Sequence, residues 1–156
     1  MNKPLILDVA CGSRMFWFDR NHPDTVFTDK RSEHHILCDG RTLSIKPNIV
    51  ADFTSMPFKD ESFSLVVFDP PHMASLGHNS WLAKKYGRLF PDWQDDIQEG
   101  FSECLRVLKI HGTLIFKWNT TEIPVATVLD LAPIKPAFGH TTGRQAKTIW
   151  TTFFKS

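Results

Sequence analysis

Short apolar runs that break off at acids punctuate the first half of the chain. Pro4-Leu5-Ile6-Leu7-Asp8-Val9 leads into Ala10-Cys11-Gly12-Ser13, Val26-Phe27-Thr28 stops at Asp29-Lys30-Arg31, and Asn48-Ile49-Val50-Ala51 stops at Asp52. A fourth run, Leu65-Val66-Val67-Phe68, ends in Asp69-Pro70-Pro71-His72. The fourth run is short, β-branched and without alternation, and reads as a buried parallel strand; proline has no N–H, so its ladder must stop there. Three further β-type segments are predicted over 113–118, 134–138 and 148–154. Ile97, Phe101, Cys104, Leu105 and Leu108 fall at helical spacing within a helix predicted over 93–109. Asp92, after Pro91, is its expected N-cap, and Asp95 and Asp96 suit its positive end. A second helix is predicted over 127–131, after Pro124. Strand alternating with helix predicts an α/β protein with a doubly wound parallel sheet.

The connections are uneven. Between the second and third strands the chain carries Gly40 and Pro47 and no clean helical stripe, so a short or missing helix is expected there. Residues 73–91 form a long insertion with Trp81, Tyr86, Phe90, Lys84, Lys85 and Arg88 among Gly77, Asn79 and Gly87. Loops of this length in compact domains are functional or disordered, and so many aromatics argue against disorder.

At 156 residues the chain reads as a single domain, 1–156, with one core. Hydrophobic content of 42% and charged content of 22% are ordinary for a soluble globular protein. No apolar run approaches a membrane span, and Met1-Asn2-Lys3-Pro4 leads straight into a strand. Neither signal peptide nor anchor is expected, and the cytoplasm is the default location. A formal net charge of +1 excludes whole-molecule attraction to polyanions. Any nucleic-acid contact must come from a local patch, such as Lys84, Lys85 and Arg88 or Arg144 and Lys147, and solvated surface is the plain reading of both. Cys11, Cys38 and Cys104 have no paired spacing, as in a reducing compartment. His34, His35 and Cys38 lack a fourth ligand nearby, and no metal is expected.

Asp8-Val9-Ala10-Cys11-Gly12-Ser13 lies where a nucleotide-binding turn follows a first strand, and its small residues let backbone amides approach a ligand. The three-glycine dinucleotide pattern and the P-loop are absent. Asp29 stands in the place of a ribose-binding acid, or is a turn acid beside Lys30 and Arg31. From Leu5 to Trp118 the arrangement resembles the class I S-adenosylmethionine-dependent methyltransferases. Asp8 to Gly12 is similar to that family's first motif, with Ala10 in place of its first glycine and Arg14 in place of its last. Ala51-Asp52-Phe53, Met56-Pro57-Phe58 and the run from Ser62 to Val67 resemble its middle stretch. Arg106 to Leu114 resembles its joint between helix and fifth strand, with Ile110-His111 replacing Pro-Gly. The resemblance implies a minimal single-domain fold, its mostly parallel seven-stranded sheet closing with an antiparallel strand, and S-adenosyl-L-methionine as cofactor. It implies Asp8, Ala10, Cys11 and Gly12 near the methionine end, Asp29 at the ribose, Asp52 and Phe53 at the adenine, and Asp69 beside them.

Within that family, Asp-Pro-Pro followed by a ring resembles the motif of enzymes that methylate exocyclic amino or amide nitrogens in nucleic acids or proteins. An aryl amine is a poor nucleophile because its lone pair is delocalised. Accepting its N–H bonds with the Asp69 carboxylate and the Pro70 carbonyl pushes the nitrogen towards a pyramidal state and aims it. His72 stands where the family has Tyr, Phe or Trp, and it stacks on the target base, acts as a base, or only hydrogen-bonds the loop. Asp69, Pro70, Pro71 and His72 are the candidate catalytic residues; Trp81, Lys84, Lys85, Arg88, His140 and Arg144 are the candidate substrate contacts. The last two lie in a second loop, 139–147, which opens on the Asp69 edge if 134–138 runs parallel to the core strands. The leading reading is methylation of an exocyclic amino nitrogen in an RNA or DNA base. With no room for a target-recognition domain, sequence-specific duplex recognition would need a partner protein. Two competing readings are a small-molecule or protein methyltransferase with a pocket lined by Trp81 and Trp93, and a non-catalytic cofactor-binding domain.

Overall fold

A computed structural model describes residues 3–74, 80–140 and 147–156. The elements run β1 (Ile6–Asp8), β2 (Thr25–Asp29), β3 (Glu33–Ile36), β4 (Thr42–Ile45), β5 (Ile49–Val50), β6 (Phe63–Phe68), α1 (Trp81–Tyr86), α2 (Trp93–Val107), β7 (Leu108–Asn119), α3 (Val125–Leu129), β8 (Phe138–Gly139) and β9 (Thr148–Phe154). Seven strands form one sheet in the order β5-β2-β1-β6-β7-β9-β8. Pairing is parallel from β5 through β7, and β9 runs antiparallel to β7. The mostly parallel seven-stranded sheet expected from the sequence is therefore observed, with few helices around it. No helix among the described residues is long and apolar enough to cross a membrane.

The core forms where the apolar faces of sheet and helix meet. Leu7, Val66, Phe68, Leu114, Phe116 and Trp118 are fully buried on one sheet face, against Ile97, Phe101 and Cys104 of α2. Phe68 meets Phe101 edge-on at 5.4 Å. Asp92 takes the N-cap position of α2 but makes no side-chain cap bond; Asp95 and Asp96 remain in the first turn, where negative charge suits the dipole. On the opposite face, Val67 and Trp150 share an apolar groove with Phe16 and Trp17. Those two aromatics belong to the connection from β1 to β2, which is built of turns instead of a helix.

Other departures have local causes. The crossover from β2 to β5 carries the β3–β4 hairpin, closed at Asp39-Gly40: Gly40 has φ +82° and its N–H donates to the Leu37 carbonyl at 2.9 Å. The strand predicted over 134–138 shrinks to Phe138–Gly139, because Pro136 cannot donate to a ladder. β8 is antiparallel to β9 and so points the same way as the core strands. The chain between β8 and β9 thus leaves from the edge where Asp69 lies. α3 starts at Val125, ahead of the predicted 127–131.

At Gly100, α2 packs closely against two aromatic rings. A Cβ there would stand 2.6 Å from Phe68 Cζ and 2.7 Å from Phe53 Cδ2. Helix propensity alone favours alanine by about 1 kcal/mol, while overpacking costs about 1–3 kcal/mol. Gly100→Ala is expected to lower the urea midpoint, and a raised midpoint would show that the two rings yield.

Candidate active site

The parallel strands deliver their chemistry to one edge. Phe68 of β6 pairs with Phe116 of β7, which puts the following residues, Asp69 and Lys117, side by side. Lys117 Nζ donates to Asp69 Oδ2 at 3.0 Å. At the end of β1, Gly12 turns with φ +50°, and its N–H donates to Asp29 Oδ2 at 2.9 Å. The Arg31 N–H donates to Asp29 Oδ1 at 2.9 Å, so the acid at the end of β2 ties both loops together. Arg31 Nη1 reaches on to the carbonyl of Lys84 at 2.9 Å. The segment after α1 returns under Pro71, where the Leu89 N–H donates to the Met73 carbonyl at 2.8 Å. Gly87, at φ +75°, is required there: a Cβ would stand 3.0 Å from Pro71 Cγ.

These contacts enclose a cavity of about 560 Å3. It is lined by Ala10, Cys11, Gly12, Asp29 and Phe53 on one side and by Asp69, Pro70, Pro71 and His72 on the other. Lys84, Lys85 and Arg88 line it as well, so one space gathers most of the residues singled out in the sequence. Asp8 lies outside the lining, fully buried, with Oδ2 accepting from Trp17 Nε1 at 2.8 Å. Asp52 is exposed and spends its Oδ1 on the Thr54 N–H and hydroxyl at 2.9 and 2.8 Å, a turn that keeps it off the wall. Trp81 is 47% exposed and neither it nor Trp93 lines the cavity; Trp93 packs against the core instead. His140 is exposed, its Nδ1 accepting from the Trp150 N–H at 3.2 Å. Arg144 and most of 139–147 lie outside the described residues. Sequence reasoning missed Phe16, Asp96 and Lys117 in the lining. A lysine inside the apolar run 113–118 was a readable signal for the last. Among the described residues no group of three His, Cys, Asp or Glu side chains is placed to hold a metal ion.

Burial dominates the electrostatics. It pushes the Asp8 carboxyl up to about 7; the Trp17 bond opposes this and the charges of Asp69 and Asp29 add to it. Among the described residues, Asp8 Oδ1 has no hydrogen-bond partner. Burial also raises Asp69, partly offset by Lys117. His72 is lowered by burial and by the Lys117 ammonium, against a raising effect of Glu122. Its ring stands edge-on to buried Trp118 at 6.1 Å. Cys11 is pushed up to about 12 by burial and by Asp8, so its thiol stays protonated. Asp96 is raised by burial and by the neighbouring acids Asp92 and Asp52.

Solved structures share this architecture. The PH0226 protein of Pyrococcus horikoshii OT3 matches with a TM-score of 0.59 at 18% identity, over 99% of this chain and 83% of that one. A TehB-like SAM-dependent methyltransferase from Corynebacterium glutamicum matches at 0.56 and 14%, over 100% and 83%. The 1,6-didemethyltoxoflavin-N1-methyltransferase of Burkholderia thailandensis, solved with S-adenosylhomocysteine, matches at 0.53 and 11%, over 99% and 72%. At these identities the likeness is one of fold. No family model matches the chain, and no curated protein is similar to it in sequence.

Asp8 makes stability depend on pH in an unusual direction. Its folded-state pKa, about 7, lies above the ordinary 3.8, so the native state binds more protons than the unfolded state between those values. Stability falls as pH rises through that window and is lowest above it. Asp8→Asn keeps an oxygen for Trp17 and removes the titration. At pH 8 it is expected to stabilise the fold by on the order of a few kcal/mol. Urea midpoints at pH 5 and pH 8 check this: the wild-type decline should flatten in the variant, and an undiminished decline would assign it elsewhere.

Proposed function

We propose that this chain is an S-adenosylmethionine-dependent methyltransferase acting on an exocyclic amino nitrogen of a nucleic-acid base. The observation that carries this reading is Asp69, held by Lys117 at a strand end in the wall of a cavity that Lys84, Lys85 and Arg88 also line. The cofactor fits the residues present. About 560 Å3 is the size of a ligand pocket, and a Cβ at Gly12 would meet nothing nearer than the Lys85 carbonyl at 4.0 Å, so the turn leaves open space. Gly12 and its neighbours Ala10 and Cys11 would frame the methionine end, Asp29 the ribose hydroxyls and Phe53 the adenine. The carboxylate of Asp29 already accepts two backbone N–H groups, and each of its oxygens retains capacity for a hydroxyl. When bound, the cofactor supplies a methyl group on a sulfonium, an electrophile whose leaving group is a neutral thioether.

The chain's own residues position the nucleophile. Asp69 Oδ2 is engaged by Lys117, so Oδ1 and the Pro70 carbonyl would accept the two amine hydrogens. Held in this way, the amine lone pair would face the cofactor side of the cavity, and no side chain is required to keep the surplus proton, which solvent would take. Residues 73–91 would supply substrate contacts through Lys84, Lys85 and Arg88, the loop 139–147 would add Arg144, and the whole of 1–156 would act as one domain. A partner protein would supply any duplex specificity. A second reading, a small-molecule acceptor, is favoured by one observation: α1 is clamped across the cavity through Arg31.

Transfer of labelled methyl groups to RNA, DNA, protein and metabolite pools tests the reading. Asp69→Ala is expected to lower the rate by about two to three orders of magnitude, the loss typical of removing one transition-state contact. Asp29→Ala should weaken cofactor binding in calorimetry by roughly tenfold or more, as for a charge-assisted hydrogen bond; unchanged affinity would overturn the ribose assignment. Replacing Lys84, Lys85 and Arg88 by Ala should weaken a nucleic-acid substrate most at low salt. A loss that ignores salt would favour the small-molecule reading.

A further inference from the structure

We propose that the aromatic platform for the acceptor ring is Phe16, with Trp150 and Trp17 behind it, and that His72 does not serve as one. The proposal rests on the amino-methylation reading above and names the residue that would give that site its preference for flat heteroaromatic acceptors.

Phe16 lines the same cavity as Asp69, Pro70 and Lys117. Lys117 Nζ stands 3.0 Å from Asp69 Oδ2 and lies over the Phe16 ring, 5.3 Å from its centre, so one ammonium links the ring to the carboxylate. Phe16 is also fixed from behind. Trp150 meets it edge-on at 5.5 Å and 88°, and Trp17 stacks beside it at 6.1 Å and 28°. Trp17 is in turn anchored to buried Asp8 through its indole N–H at 2.8 Å. A ring immobilised by two indoles gives up little further freedom when a ligand stacks on it. Phe16 comes from the turn-built connection after β1, where a helix would have carried the side chains away from the sheet edge.

The ring of His72 is committed elsewhere. It lies edge-on to Trp118, which is fully buried beneath it, at 6.1 Å and 73°. The chain therefore departs from an aromatic at position 72 and presents one beside Asp69 from position 16. A base that carries an exocyclic amine, such as adenine or cytosine, would then lie against Phe16 with its amino edge towards Asp69.

Proton NMR on the full chain tests this, with the protein first saturated with S-adenosylhomocysteine so that added nucleosides are kept from the cofactor end. Adenosine and cytidine are the probes. Their base protons are expected to shift upfield on the wild type and to show intermolecular NOEs to the Phe16 ring. Phe16→Leu should weaken apparent affinity about tenfold, as for loss of one stacking contact. Phe16→Tyr should restore it, and His72→Leu should leave it within twofold. Retained affinity in Phe16→Leu, loss of it in His72→Leu, or no upfield shift and no NOE on the wild type would each overturn the proposal. The NOE needs no variant and stands even if Phe16→Leu fails to fold. Calorimetry reports S-adenosylhomocysteine binding separately, so failure at that step would count against the methyltransferase reading itself.

Discussion

In a parallel sheet every strand ends at the same edge, and that constraint places the acids and the lysine that this chain's strands deliver. β1, β2, β6 and β7 run side by side in one direction, so Asp8, Asp29, Asp69 and Lys117 converge although they are far apart in sequence. Pro70 and Pro71 stop the β6 ladder at the point where a carboxylate has just been delivered. The packing that holds the sheet reaches the site directly. Gly100 of α2 sits against both Phe68, in the core, and Phe53, in the cavity wall, so the depth of helix docking sets the position of that wall.

Asp29 and Arg31 extend this order from the sheet to the loops. A single carboxylate accepts from Gly12 on one side and from Arg31 on the other. The guanidinium of Arg31 then holds the carboxyl end of α1 by the Lys84 carbonyl, a favourable partner for a cation at a helix C-terminus. The loop that would hold a cofactor and the insertion that carries Lys84 and Lys85 are thereby joined through three hydrogen bonds. Movement of one is constrained by the other.

What could be read from the sequence followed from chemistry that is local. Apolar runs ending at Asp8, Asp29 and Asp69 gave the strands and the edge, and the stripe from Ile97 to Leu105 gave α2. The missing helix between β2 and β5 was legible from Gly40 and Pro47, and Asp39-Gly40 between the segments of β3 and β4 is the hairpin signal that fills its place. Asp52 looked like its neighbours at strand ends, yet the hydroxyl two residues on captures it in a turn. Phe16 carries no pattern at all: its place in the cavity wall depends on a connection built of turns and on Trp150 arriving from the far end of the chain. Lys117 became meaningful only with the register of β6 against β7, which no periodicity specifies.

That lysine works against burial at Asp69 and with it at His72. Burial alone would drive the Asp69 carboxyl towards its neutral form, in which a hydroxyl replaces one of the acceptors an amine requires. The Lys117 ammonium opposes burial at 3.0 Å and favours the carboxylate. The same positive charge acts on His72 in the opposite sense, adding to burial and lowering the imidazole pKa against the raising effect of Glu122. One cation therefore favours an acceptor at Asp69 and disfavours a bound proton at His72. An imidazole so weakened as a proton acceptor, and packed on Trp118, is poorly suited to remove a proton in the transition state. Methyl transfer to an amine does not demand that removal, since the alkylated nitrogen becomes acidic and sheds its proton afterwards. Under the amino-methylation reading proposed above, this arrangement would favour positioning over proton transfer, with Lys117 as the group that biases it.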